Sequence, residues 1–173
     1  MGDVMLQKIL VYTFTKADFY RDIDALQEAL ERSFFSGDGR GDAREVHAYL
    51  SAKQDPSASR VEKWGDAVIS AFNRENLYER ISDLKVKVEE LPALVLYVPV
   101  LLEENEIESI GGWFRESVDQ NGILEVIIDA DALGGCMFAW RGVFYDFSLN
   151  HFLEVKQNDI RALINAHNTH NGQ

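Results

Sequence analysis

The apolar residues of this 173-residue chain change their spacing once, near Glu90, and that change limits the folds open to it. Before it they recur at the three- and four-residue intervals of a helix. Ile23, Leu26, Leu30 and Phe34 form one stripe, Val61, Trp64, Val68 and Phe72 a second, and Leu77, Ile81, Leu84 and Val88 a third. Residues so spaced share one side of an α-helix and are driven to bury it. After Glu90 the interval falls towards two, with Val95, Tyr97 and Pro99 alternating against Leu94, Leu96 and Val98. Both sets are apolar, so the expectation is a strand buried on both sides. The fold class that follows is α then α+β: a helical bundle over residues 1–90 and a small βαββα domain over 91–173 that carries a Gly-Gly hairpin.

Local punctuation refines the elements. Thr15 can cap a helix starting near Lys16, Ser36 to Asp42 reads as a glycine-rich loop, and Asp55-Pro56-Ser57 is a turn into the next helix. Four or five helices are expected before Glu90. Beyond it, Pro99 should end the first strand, and Glu103 to Val118 reads as a helix whose acidic first turn suits the helix dipole. Strands follow at Ile123–Ile128, Gly135–Trp140 and Val143–Phe147, the last two joined at Arg141-Gly142 as a hairpin. Ser148 is the natural N-cap of a final helix, Leu149 to Ala166, which would turn Leu149, Phe152, Leu153, Ile160, Leu163 and Ile164 to one side. The tail from Asn168 to Gln173 should fray.

Charge and hydropathy narrow the functions. Residues 1–90 carry 17 acidic and 13 basic side chains, whereas 91–173 carry 12 and 4, so the second part holds -8 of the net -12. Such a surface repels nucleic-acid phosphates and anionic lipid headgroups, and suits a basic protein partner. The longest apolar run, Leu91 to Leu102, has 12 residues and is interrupted by Pro92 and Pro99, too short to cross a bilayer. No signal-peptide pattern opens the chain, and Leu6 stands where a myristoylation motif needs Ser or Thr. A cytoplasmic location is expected. Cys136 has no second cysteine to pair with, which fits a reducing compartment and a packing role.

Few residue patterns carry chemistry. Gly37, Gly39 and Gly41 lack the preceding strand and the Lys-Ser/Thr of a phosphate cradle, and Arg40-Gly41-Asp42 is too short a match to signify adhesion. His167 and His170 are three apart without further ligands nearby, and His151 sits in the first turn of the last helix. Asp129, Asp131 and Asp146 give the one enzyme reading. They close neighbouring strands and could converge on Mg²⁺ in a small Mg-dependent enzyme. The competing reading has Asp129 and Asp131 shaping a turn while Asp146 binds local amides. It outweighs catalysis, because ribonuclease-H-like and glycosyltransferase folds need more acids or a larger sheet. A third reading is an acidic protein-interaction module.

The same residues carry a resemblance. The run Asp129-Ala130-Asp131-Ala132-Leu133-Gly134-Gly135, the strand Cys136–Trp140, the turn Arg141-Gly142, the strand Val143–Tyr145, then Asp146-Phe147-Ser148 and Leu153 match a gapless pattern. That pattern resembles the delta subunit of bacterial F-type ATP synthase, the oligomycin-sensitivity-conferring protein of mitochondria. Tyr97-Val98-Pro99-Val100 and Ala71-Phe72-Asn73-Arg74-Glu75-Asn76-Leu77 extend the likeness to residues 60–165. The departures are Phe147 where a small residue is usual, Asn150-His151 where a basic residue is common, and a helical half shorter than the family's six-helix bundle.

The resemblance implies a non-catalytic stator subunit of the peripheral stalk, with no catalytic residue, metal or cofactor. Its structural markers would be Asp129, Leu133, Gly134, Gly135, Asp146, Ser148 and Leu153. The helical half would bind the N-terminal segments of the alpha subunits, and the second half the C-terminal ends of the b subunits. The membrane would be reached only through the complex. Which of Val11, Phe14, Phe19, Tyr20 and Phe72 face a partner is not legible from the sequence.

Overall fold

The computed structural model describes residues 2–35, 42–157 and 159–161. Six helices lie before Glu90: α1 Gly2–Leu10, α2 Lys16–Phe35, α3 Ala43–Lys53, α4 Pro56–Lys63, α5 Asp66–Ile69 and α6 Leu77–Glu89. They are followed by β1 Ala93–Val98, α7 Glu104–Ser117, β2 Ile123–Ile128, β3 Gly135–Trp140, β4 Val143–Ser148 and α8 Leu149–Val155. The chain is thus mixed, helical first and sheet-bearing second.

The starts of α2 and α4 follow the capping chemistry of their residues. The Thr15 hydroxyl oxygen accepts the Asp18 amide at 2.9 Å, and Thr15 in turn donates to the Asp18 carboxylate at 2.6 Å, closing a reciprocal box at the start of α2. Asp55 accepts the Ala58 amide at 2.8 Å ahead of Pro56 at the first turn of α4. Six helices appear where four or five were expected because the stripe Val61, Trp64, Val68, Phe72 is not one helix. Gly65 sits at φ +80° between α4 and α5, and all four side chains are buried all the same. Ser36 to Gly41, with the tripeptide's Arg40 and Gly41, lie outside the described residues, and Asp42 caps α3 through the Arg44 amide.

The backbone forms two compact units. One comprises residues 1–92 and 104–124, the other 93–103 and 125–173. The division therefore is not a single cut at residue 90: α7 and the start of β2 belong with the helices. Physical reasons lie in α7 itself. Gly111 gives the Phe14 ring room, since a Cβ there would stand 2.7 Å from it. Phe14 also receives the Arg115 guanidinium at 4.8 Å from its centroid, and Phe114 is fully buried. Arg115 donates to the carbonyls of Leu10, Thr13 (2.7 Å) and Gly122 (2.8 Å).

The sheet has the order β2-β1-β3-β4. Ile123 donates to Pro92 O and Asp129 to Val98 O, an offset that keeps its sense along the strands, so β2 and β1 run parallel across α7. The other pairs are antiparallel, β1 to β3 with Leu96 opposite Phe138, and β3 to β4 with Phe138 opposite Tyr145. Arg141 (φ 51°) and Gly142 (φ 78°) form the two-residue turn between β3 and β4, as their positive φ values require for a hairpin of the right twist. β1 departs from expectation. Leu94, Leu96 and Val98 are buried but Ala93, Val95 and Tyr97 only half so, giving one covered face rather than two.

α8 departs further. It ends at Val155, the backbone turns at Lys156, and helical residues resume at 157 and 159–161. No α8 side chain is buried, and Leu149, Phe152 and Leu153, expected on one side of the helix, are exposed. Leu163, Ile164 and the tail from Asn168 lie outside the described residues.

Candidate functional site: the hairpin junction and its exposed apolar surface

The seven marker residues of the sequence reading fall at one junction, where the chain enters β3 and leaves β4. Asp129 accepts the Asp131 amide at 3.1 Å, and the Ala132 amide bonds its carbonyl, a turn built by the aspartate's own side chain. Gly135, at φ +78°, must be glycine: a Cβ there would lie 2.2 Å from the Phe147 carbonyl oxygen. Its closeness lets Gly135 pair with Ser148 and lets Gly134 accept the Leu149 amide at 2.9 Å. Asp146 accepts the Ser148 amide at 2.8 Å, and Ser148, itself buried, accepts the His151 amide at 3.2 Å. Hydrogen bonds from Ser148 hold the Asp146 carboxyl below its ordinary value. Asp146 and Ser148 therefore set the angle at which α8 leaves the sheet.

This arrangement assigns the acids. Asp129 and Asp146 each use an oxygen on a backbone amide two residues on, and among the described residues no three His, Cys, Asp or Glu side chains come together as a metal would need. The Mg²⁺ site of the enzyme reading is not formed by Asp129, Asp131 and Asp146. Leu133 and Leu153 are the markers that hold nothing: Leu133 is 71% exposed and Leu153 40%.

Other apolar side chains of β4 and α8 are exposed as well. Val143, Phe144, Tyr145 and Phe147 of β4, and Leu149, Phe152, Leu153 and Val155 of α8, are all exposed. The rings order themselves on the sheet: Phe138 stacks on Tyr145 at 4.8 Å and on Phe147 at 5.8 Å, and Tyr97 meets Phe144 edge-on at 6.1 Å. These two ring groups lie on opposite faces of the sheet, because successive residues of a strand alternate, and each face leaves apolar side chains open to another molecule. Of the aromatic and aliphatic residues left open by the sequence, Phe19 and Phe72 are core, Phe14 and Tyr20 are half-buried, and Val11 is exposed. Among the described residues, Val4, Val11 and Tyr12 of the first twelve and Tyr78 and Val86 of α6 are exposed large apolar or aromatic side chains there.

A second cluster escaped the sequence reading. Arg60 of α4 bonds Asp22 through both Nε (3.0 and 3.1 Å) and Nη2 (2.9 Å), Asp18 at 3.2 Å and Glu104 at 2.7 Å. Thr13 adds a donor to Asp22 at 3.0 Å, and Asp22 has no exposure to solvent. Burial works against charge on Arg60, yet the bonds and charges of Asp22, Asp18 and Glu104 outweigh it and hold the guanidinium charged. Burial likewise pushes the Asp22 carboxyl up, against the pull of Arg60 and Thr13. Arg115 faces backbone carbonyls and the Phe14 ring, and burial lowers it to about 10. Each guanidinium nitrogen of Arg60 meets at least one protein acceptor, which makes the cluster a clasp holding α2, α4 and the start of α7. Its signal in the sequence was weak: Asp18 and Asp22 are four apart on one helix side, but Arg60 and Glu104 lie 38 and 82 positions from Asp22.

No family model matches the chain, and no curated protein matches it at a significant level. Among the described residues no helix is long and apolar enough to cross a membrane.

Proposed function

We propose that this chain is a stator subunit of the delta type, joining the catalytic head of an F-type ATP synthase to its b-subunit stalk and resisting rotor torque during ATP synthesis. The observation that carries the reading is the order of elements around the junction. Six helices precede a β-α-β-β-α run, and the marker residues Asp129, Gly134, Gly135, Asp146 and Ser148 each perform a backbone-fixing task at the hairpin. The helical half is short in residues, but it carries the six helices the family resemblance asks for.

The physical demands of the role agree with what the residues do. A stator transmits force and needs fixed angles between elements, not a reactive group. Asp146 and Ser148 fix one such angle, and the Arg60 clasp ties three helices of the first unit together. The binding surfaces would be apolar. In the first unit Val4, Val11 and Val86 are exposed, open to the N-terminal segments of the alpha subunits. In the second, β4 and α8 offer the surface for the C-terminal ends of the b subunits.

Affinity capture from the source membranes tests the proposal. The full chain is expected to bring down alpha and b subunits together and to show no ATPase activity alone. Recovery of neither subunit under conditions that keep the synthase intact would overturn it.

A further inference from the structure

The outer edge of β4 is one of the sheet's two edges. In the order β2-β1-β3-β4 it has a neighbour on one side only, and among the described residues no other strand pairs with it. The direction of its backbone groups follows from the hairpin. A two-residue turn makes its flanking residues, Trp140 and Val143, a hydrogen-bonded pair, and such pairs recur every second residue along the ladder. Phe138 with Tyr145 and Cys136 with Phe147 are the next, and the series ends on Gly134 with Leu149, whose amide bonds the Gly134 carbonyl at 2.9 Å. Val143, Tyr145 and Phe147 thus turn their backbone inward. Phe144 and Asp146 turn their N–H and C=O groups out.

The length of this free edge is set at both ends. At one end lies the Arg141-Gly142 turn. At the other the Ser148 amide, which would be the next outward donor, is already taken by the Asp146 carboxylate at 2.8 Å. What remains is the bonding pattern for one short strand, flanked on one face by the exposed side chains of Val143, Tyr145 and Phe147 and on the other by Phe144 and Asp146. Asp146 is the one ionisable carboxylate of β3 and β4, whose sequences are otherwise uncharged. Its depressed proton affinity keeps it negative at neutral pH.

We infer that the β4 edge is a docking site for an extended segment of a partner protein, one that adds as a fifth strand, turns apolar side chains to the Val143, Tyr145 and Phe147 face and sets a lysine or arginine beside Asp146. The edge decides the extended form, because main-chain groups supply the affinity in strand addition while alternate side chains supply the choice. The charge decides the sign: residues 93–103 and 125–173, the unit that carries β4, hold 7 acidic and 3 basic side chains, so a basic segment is drawn in. The same charge disfavours a second copy of this chain, which would bring its own net -12. The inference stands apart from the stator reading, since any protein with such a segment satisfies it.

The probe is an eight-residue peptide alternating valine and lysine, titrated into the full chain while backbone amides are followed by NMR. Saturable shifts and exchange protection at Phe144 and Asp146 are expected, with the helices α2 and α6 unmoved. A version with glutamate for lysine is expected to bind at least tenfold more weakly at low salt, and the difference should shrink as salt screens the pair. A version N-methylated along its bonding edge should not bind. No saturation at about 1 mM peptide, the weak end of specific recognition, overturns the inference, as does binding that leaves Phe144 and Asp146 unprotected. A dimer in which these two amides are protected without peptide gives the edge to a second copy and overturns it equally.

Discussion

The two units handle their apolar residues in opposite ways. In the first, Phe19, Ile23, Leu26, Leu30, Leu50, Leu77, Leu84 and Phe114 are shut from solvent, and even the charged Arg60 and Asp22 are buried and paired. In the second, the buried hydrophobic residues among those described are Leu94, Leu96 and Val98, while β4 and α8 display four aromatic rings and several aliphatic side chains. The first unit buries most of its large apolar side chains, while Val4, Val11, Phe35, Val86 and Trp113 stay exposed. The second holds such side chains at the surface, where burial of about 25 cal/mol per Å² becomes available only when a partner arrives. The comparison teaches that the hairpin junction is fixed by backbone chemistry, while the side chains beside it are left exposed, as the proposed contact with a partner requires.

The largest effect should come from opening the clasp of the first unit. Arg60→Met leaves Asp22 buried without its cation, and urea unfolding is expected to show a loss of about 3–5 kcal/mol. Adding Asp22→Leu to it should recover much of that loss, because the stranded charge is then gone too. A single substitution that costs nothing would mean that the buried cluster does not hold the helices.

Next in size is Gly135→Ala. The new Cβ meets the Phe147 carbonyl oxygen and the residue is held at positive φ, so a loss above about 1 kcal/mol is expected. Amide exchange should show it as opening of β3 and β4 with α2 and α6 unaffected. Ser148→Ala removes the cap of α8 and should cost about 1 kcal/mol, again read by exchange in the second unit. Phe147→Ala, by contrast, should change stability by no more than about 0.5 kcal/mol, because that ring is 63% exposed in the isolated chain. Its effect belongs to binding. A large loss of stability there would erase the contrast between the units.

The smallest effect is one of pH. Asp146 has a lowered folded value, so its contribution is complete above the ordinary 3.8 and disappears as pH falls through that lower value. The Ser148 amide should therefore lose protection as pH is taken from 5 to 2, and Asp146→Asn should flatten that response.

Much of this was written in local sequence. The stripes Ile23 to Phe34 and Leu77 to Val88 are buried along α2 and α6, and β2 and β3 run over the residues their alternation marks. Such elements are legible because one period and one cap define each. The break at Gly65 was not, since a helical stripe continues across it and only the backbone reveals the turn. Nor was the company α7 keeps, which rests on Arg115 reaching carbonyls more than 100 positions away. The clasp of Arg60 is hidden for the same reason. At the site, the turn chemistry of Asp129, Gly135, Asp146 and Ser148 is local and was legible. Whether Phe152 and Leu153 face inward or outward is decided by what packs against α8, which no periodicity records.

The central claim is that the second unit keeps its apolar surface for the stalk of an ATP synthase. Hydrogen exchange on the full chain, with and without the C-terminal segment of the b subunit from the same source, tests it most directly. The account predicts new protection within residues 125–161, strongest in β4 and α8, and none in α2 or α6. Exchange in β4 and α8 that stays unchanged at saturating b segment would contradict it.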